Sequence, residues 1–136
     1  MPRKMKTAQE RTVKLVFQQI KNNARTRNLS FNITEACVET HIFQPCSYCG
    51  AGLSCAKQIP ITRSKGSRVR YRDEKVKYNS MDRVNNQRGY EPNNMTTACL
   101  ICQIAKNDLS LIEFLALIAR LGQKLEAIRN LGRVNQ

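Results

Sequence analysis

The sequence predicts a small α+β fold, and three observations carry this prediction. Apolar residues recur at helical spacing near both ends of the chain, whereas the middle alternates apolar and polar residues in the manner of strands. Two Cys-x-x-Cys pairs bracket that middle part. A chain of 136 residues is about the size of one domain, and its core is small enough for a bound metal ion to add stability.

The charge is strongly basic, with 23 Lys and Arg against 10 Asp and Glu and a formal net charge of +13. Such an excess predicts an anionic partner, most simply nucleic acid, with a membrane surface as the competing interpretation. No apolar run of the length of about 18 residues that a spanning helix needs is present. The basic start MPRKMK is not followed by an apolar segment, so we expect no signal peptide and an intracellular protein with reduced thiols.

The first part of the chain predicts two helices. Residues 7–27 carry apolar side chains at helical spacing, and the opposite side is basic, which indicates either a solvated face or a phosphate-contacting face. Residues 29–33 alternate and predict a short strand. Thr34 is expected to cap a short helix, with Glu35 in its first turn, and Pro45 to end it.

The segment 51–77 predicts an irregular or hairpin insertion with a turn around Asp73 and Glu74. Its density of Lys and Arg favours phosphate contact, although a solvated loop explains the same composition. The basic residues predicted to bind nucleic acid are Arg63, Lys65, Arg68, Arg70, Arg72, Lys77, Arg88 and Lys106.

The last part predicts a helix from Cys102 through Lys106 and, after a break, a final helix. Ser110 and Glu113 form a capping box at its start, and Gly132 is expected to end it. Its apolar stripe predicts packing against the first helix, and its far end is the weaker candidate for self-association.

The four cysteines of the two pairs are the strongest signal for a bound cofactor. Zinc prefers four thiolates in a tetrahedron, so a structural zinc ion is predicted, with disulfides as the alternative. The predicted ligands are Cys46, Cys49, Cys99 and Cys102. Zinc binding contributes about 10–16 kcal/mol in small finger peptides. Cys37 is expected to be structural, and Cys55 is a possible substitute ligand.

Four ordered motifs carry a resemblance to a known family: ARTRNLSFNIT, QPCSYCG, SMDRVNNQRGYEPNN and CLICQIAKNDLSLIEF. From about residue 24 to 114 the chain resembles the HNH nucleases found widely in bacteriophages, the ββα-metal class. The resemblance implies a zinc-stapled ββα-metal core at 46–106, flanked by an N-terminal helical region at 1–45 and a C-terminal helix at 107–136. It also implies cleavage of a DNA phosphodiester with one divalent ion, Mg²⁺ or Mn²⁺, in the bacterial host cytoplasm.

The same resemblance assigns the catalytic residues. Asp82 matches the acidic metal ligand, and Gln103 stands at the position of the second metal ligand. Arg83 stands where many relatives have the general-base histidine. Asn94 matches the middle asparagine that holds the loop, and Lys106 matches a helix lysine that contacts phosphate.

The chain departs from the family's motif at both histidines. Its one histidine, His41, lies upstream of the first Cys-x-x-Cys pair. Arg83 cannot accept a proton at ordinary pH, and loss of a positioned base costs on the order of 10²–10⁴-fold in rate.

Three functions therefore stay open. The first is a divalent-metal-dependent DNA endonuclease, and the second is an inactive HNH-like module that binds nucleic acid. The third is a zinc-stapled adaptor for a protein partner. No small-molecule substrate is expected, and the sequence does not predict an oligomeric state.

Overall fold

A computed structural model of the chain describes the backbone of residues 7–62 and 70–134 and the side chains of residues 7–54 and 75–133. The helices are α1 (Ala8–Thr26), α2 (Glu35–Ile42), α3 (Leu100–Lys106), α4 (Leu111–Gln123) and α5 (Leu125–Val134). The strands are β1 (Cys55–Thr62), β2 (Arg70–Tyr78), β3 (Ser80–Arg83) and β4 (Met95–Ala98). The predicted α+β class is confirmed.

The two N-terminal helices begin where the sequence predicts. The hydroxyl of Thr7 accepts a hydrogen bond from the Glu10 amide at 3.1 Å, and the Glu10 carboxylate accepts one from the Thr7 amide at 2.9 Å. Thr34 caps α2 by accepting from the Cys37 amide at 3.1 Å. These side chains satisfy amides that a helix start leaves without a partner.

The hydrophobic core lies between α1, α2 and the strands. The apolar face of α1 packs against α2, β1 and β2. Partly buried residues, including Phe17, Phe31 and Cys37, pack at its edge. The core is formed by Val13, Val16, Ile20, Ala24, Ile33, Val38, Ile42, Tyr78, Met81, Tyr90 and Met95.

The predicted strand at residues 29–33 is wrong. Only one bridge forms there, between Phe31 and Tyr90. The Tyr90 amide donates to the Ser30 carbonyl at 2.9 Å, and the Asn32 amide donates to the Tyr90 carbonyl at 2.8 Å. The ladder goes no further because the segment opposite is the tight loop at Gly89 rather than a strand.

The predicted hairpin exists, but its turn is not at Asp73 and Glu74. β1 and β2 form an antiparallel pair in which Cys55 lies opposite Tyr78, and residues 73 and 74 are inside β2. β1 ends at Thr62 and β2 begins at Arg70, so Asp73 and Glu74 continue the second strand instead of turning the chain. Arg63, Lys65 and Arg68 lie outside the described residues.

A second antiparallel pair, β3 with β4, leads directly into α3. Ser80 lies opposite Ala98 and Arg83 opposite Met95. Cys99 is the N-cap of α3, and its Sγ accepts from the Cys102 amide at 3.4 Å. This strand–strand–helix order is the ββα arrangement that the motifs predict.

The C-terminal helices differ from the prediction. Instead of one helix, α4 and α5 meet at Lys124, and α5 continues past Gly132. Their apolar stripe does not pack against α1, whose apolar face is already covered by α2, β1 and β2. Phe114 is the buried residue of α4. The exposed members of the stripe are Ile112, Leu115, Ile118, Leu121, Leu125, Ile128 and Leu131.

Within the described part of the chain, no helix has both the length and the apolar character required to cross a bilayer.

Candidate active site and metal centre

The four predicted cysteines come together. The sulfur atoms of Cys46, Cys49, Cys99 and Cys102 all lie within 4.8 Å of one another. Four thiolates around one zinc ion at about 2.3 Å lie about 3.8 Å apart, and the Sγ atoms of Cys49 and Cys99 are 3.7 Å apart. The cluster can therefore hold a metal ion. The side chain of Cys55 lies outside the described residues.

Backbone hydrogen bonds at the first Cys-x-x-Cys pair, Cys46 and Cys49, change the pKa of a thiol. Burial raises the pKa of the Cys46 thiol, but hydrogen bonds from the backbone of Cys99, Cys49 and Tyr48 oppose it and bring this pKa to about 6. Burial raises the pKa of Cys102. The knuckle is tied to β4 because the Ser47 amide donates to the Thr97 carbonyl at 2.9 Å. A metal ion here would fix both the knuckle and the start of α3.

Asp82 is buried on β3, and two residues hold its carboxylate. The hydroxyl of Tyr48 donates to Oδ2 at 2.8 Å, and the Nζ of Lys106 lies 3.2 Å from the same oxygen. Burial and the hydrogen bond to Asp82 raise the pKa of Tyr48, so its proton stays on the phenol at neutral pH. Both contacts use Oδ2 rather than Oδ1.

Lys106 is fully buried, although the sequence predicts a phosphate contact for it. Besides Asp82, its Nζ donates to the Arg83 carbonyl at 3.1 Å and to Oδ1 of Asn86 at 3.3 Å. Three oxygens therefore surround an ammonium that has three N–H donors. Lys106 acts in this structure as an internal counter-ion for Asp82.

Arg83 lies beside Asp82 but points into the loop that follows β3. Its Nη1 donates to the carbonyls of Asn86 and Arg88, both at 2.8 Å, and its guanidinium carbon lies 5.1 Å from the centre of the Tyr90 ring. These contacts hold the loop. The catalytic role of Arg83 stays a prediction.

Asn94 is buried and uses its whole amide. Its Nδ2 donates to the carbonyls of Asn85 at 3.0 Å and Gly89 at 2.9 Å, while its Oδ1 accepts from the Asn85 amide at 2.9 Å. It fastens the loop to the strands, as the resemblance implies for this asparagine. Gly89 is required there, since a Cβ atom would come within 2.6 Å of the Ser30 carbonyl oxygen.

Gln103 projects from α3 toward β3. Its Nε2 donates to the Met81 carbonyl at 3.2 Å, which leaves Oε1 for another partner. Gln103 and Asp82 line the same cleft, whose volume is about 240 Å³. The strands and helix thus bring the two predicted ligands of the catalytic ion to one place.

The cleft also contains residues that the sequence did not single out. Arg27, Asn86 and Asp108 line it together with Arg83 and Tyr90. Tyr48, which lies between Cys46 and Cys49, reaches Asp82 through its hydroxyl. A general rule that buried carboxylates need donors could have suggested Tyr48, but no spacing in the sequence points to it or to Arg27.

The remaining predicted residues lie elsewhere. Arg88 pairs with Glu91 at 2.5 Å, and Lys77 is exposed on β2, which also carries Arg70 and Arg72. His41 lies on α2, where its Nδ1 is 2.7 Å from the carbonyl oxygen of Cys37, one turn earlier in the same helix. It does not line the cleft.

Comparison with solved structures finds a similar structure of the rare-cutting HNH restriction endonuclease PacI. That structure is described as showing a mechanism of DNA perturbation. The match covers 85% of this chain and 87% of that chain, with 21% sequence identity and a TM-score of 0.54. The fold is HNH-like. No protein-family model matches the sequence, and curated proteins give no match.

The likeness at this identity concerns the fold alone. It confirms the HNH-like architecture that the four motifs predict, with the cysteine cluster as a possible metal centre. The assignments of individual catalytic residues stay predictions.

Proposed function

We propose that the protein is a DNA endonuclease of the phage HNH type that hydrolyses a phosphodiester with a divalent ion, Mg²⁺ or Mn²⁺, and carries a structural zinc ion. One observation carries the proposal. Asp82 and Gln103, from the first strand and the helix of an HNH-like ββα unit, line one cleft in a strongly basic chain. Phage origin and action in a bacterial cytoplasm rest on the motif resemblance.

Each metal has a matching set of ligands. Four thiolates suit zinc, whereas carboxylate and amide oxygens suit Mg²⁺ or Mn²⁺. Oδ1 of Asp82 and Oε1 of Gln103 would hold the second ion, with water and substrate phosphate completing its shell, as is common for Mg²⁺. When bound, the ion supplies Lewis-acid stabilisation of the phosphoryl oxygens and lowers the pKa of water.

The chain's own residues prepare this site. Tyr48 and Lys106 fix the carboxylate of Asp82 in one orientation through Oδ2. Asn94 and Arg83 hold the loop beside it. In the hydrolysis, a water oxygen attacks phosphorus and gives a proton to solvent, the bond to the leaving sugar oxygen breaks, and that oxygen takes a proton from solvent as it departs. No histidine lines the cleft to take the water's proton, so we expect a slow enzyme.

The second candidate is an inactive module that binds nucleic acid. The observation that favours it is the buried ion pair of Lys106 with Asp82. A carboxylate whose charge is already balanced attracts a divalent ion less strongly than an unpaired one. The adaptor for a protein partner is the weaker candidate, because the exposed apolar stripe of α4 and α5 does not identify a partner.

Nicking of supercoiled plasmid decides between nuclease and module. Purified protein is assayed with Mg²⁺, Mn²⁺ or Ca²⁺, beside Asp82→Asn and the control Glu39→Gln, which removes one carboxylate from an exposed position of α2. A nuclease nicks with Mg²⁺ or Mn²⁺, loses this activity in Asp82→Asn and keeps it in Glu39→Gln. Salt-sensitive DNA binding without nicking under any ion would contradict the nuclease and favour the module.

A further inference from the structure

We propose that Arg27, at the C-terminal end of α1, binds a DNA phosphate at the mouth of the cleft. The proposal deepens the proposed function and rests on DNA as the partner. The ligand class is the phosphodiester backbone, and the contact is a guanidinium fork on two phosphate oxygens.

The position of Arg27 is set by the end of α1. Arg27 is the C-cap of the helix, and its amide donates to the Asn23 carbonyl at 3.0 Å. Asn28 follows in the left-handed region, with φ 54°, and turns the chain away. The backbone under the Arg27 side chain is therefore fixed by the helix and the turn.

Two clefts meet at this residue. The first, of about 240 Å³, contains Asp82, and the second, of about 230 Å³, runs along α1 past Asn23. Both are lined by Arg27, Met81, Tyr90 and Gln103. Arg27 thus stands on a groove that leads from α1 to the predicted catalytic carboxylate.

The charges of the cleft single out Arg27. Arg83 is buried and holds two carbonyls, and Lys106 is buried on Asp82. Arg27 is exposed, and its side chain makes no hydrogen bond or ion pair with the described side chains of residues 7–54 and 75–133 or with the described backbone, not even with Asp108 of the same cleft. It is the guanidinium of the cleft that a phosphate can reach without breaking an internal contact.

The helix provides a matched control. Arg25 is exposed in the last turn of α1, two residues away, and does not line either cleft. Arg25→Ala and Arg27→Ala each remove one positive charge from the same helix end. Any general effect of net charge is therefore common to both variants, and the difference between them measures the contact itself.

The test measures the dissociation constant of a short DNA duplex in Ca²⁺ over a range of salt for wild type, Arg27→Ala, Arg27→Lys and Arg25→Ala. We expect Arg27→Ala to weaken binding on the order of tenfold and to reduce the salt slope by about 1. Arg25→Ala should weaken binding less than about threefold, since diffuse charge is screened. Arg27→Lys should recover part of the affinity, and far-UV circular dichroism checks folding.

The outcomes separate this proposal from the proposed function. Equal affinities and slopes for Arg27→Ala and Arg25→Ala would overturn the role of Arg27, whether or not wild type nicks plasmid. A larger loss in Arg27→Ala together with inactive wild type would support Arg27 and overturn the nuclease. Absence of salt-sensitive binding by wild type would overturn both.

Discussion

The Nζ of Lys106 lies 3.2 Å from Oδ2 of Asp82, and the Lys106 side chain has no solvent exposure. The pair joins the last residue of α3 to β3, so it fastens the helix of the ββα unit to its first strand. An ion pair of this kind is costly to break from one side, because the other charge stays buried without a partner.

Replacement of Lys106 by methionine should therefore destabilise the protein by about 3–5 kcal/mol. The carboxylate of Asp82, the Arg83 carbonyl and Asn86 all lose a donor. Urea unfolding followed by circular dichroism measures the change. Lys14→Met, at an exposed position of α1, should stay within about 0.5 kcal/mol of wild type. Similar losses in both variants would contradict the structural role of the buried pair.

Tyr48→Phe should cost about 1.5–3 kcal/mol, the range for a hydrogen bond to a charged group. The ring contact with Phe114, 5.6 Å between centroids, is kept in this variant. Urea unfolding at neutral pH measures the loss, and Tyr48→Ala, which also removes the ring, should lose more. Equal stability of Tyr48→Phe and wild type would show that the hydroxyl contributes nothing.

Stability should also fall at alkaline pH through Tyr48. Burial and Asp82 raise its pKa above the ordinary value of 10.0, so above pH 10 the unfolded chain releases this proton more readily than the folded chain. The stabilisation is complete below the unfolded pKa and is lost as pH rises through the folded one. The free energy of unfolding, measured below and above pH 10, should therefore decline less with rising pH in Tyr48→Phe than in wild type.

Asn94→Asp is expected to destabilise the loop by about 2–4 kcal/mol. The substitution keeps the shape but replaces two donated hydrogen bonds by a carboxylate oxygen that faces the carbonyls of Asn85 and Gly89. Asn93→Asp is the matched control, because Asn93 is exposed and accepts from Arg88 at 2.8 Å. Thermal unfolding of the two variants compares them, and equal melting temperatures would refute the difference.

Cys99→Ser should abolish stoichiometric zinc and lower the melting temperature strongly, since zinc binding of this kind contributes to folding. Serine also caps helices, so the N-cap of α3 is retained and the loss reports the metal ligand. Metal analysis with thermal unfolding checks this. Cys37→Ser changes a thiol outside the cluster and should retain zinc; full zinc content in Cys99→Ser would contradict the four-thiolate site.

Local features were predictable from the sequence because they depend on neighbouring residues. Thr34 and Ser110 cap helices that begin next to them, and the spacing within each Cys-x-x-Cys pair brings two sulfurs to one ion. The order of motifs then predicted the ββα unit and placed Asp82 on its first strand.

Relationships between distant segments were not predictable in the same way. The sequence does not distinguish a lysine on the surface from a lysine in the core. Lys106 lies against Asp82 because α3 packs on β3. The orientation of Arg83 depends on the carbonyls that the loop presents. The apolar stripe of α4 and α5 has the spacing of a core helix, yet the apolar face of α1 packs against α2, β1 and β2 instead.

The exposed apolar stripe of α4 and α5 affects the heat-capacity change of unfolding. Apolar side chains that are in water before unfolding add little to the heat-capacity change of unfolding. Ile112 is 80% exposed and Leu131 67%, and the other exposed members of the stripe lie between them. The heat-capacity change should therefore lie below the usual average of about 12–15 cal/mol/K per residue, which would make the dependence of stability on temperature flatter than is typical for a chain of this length.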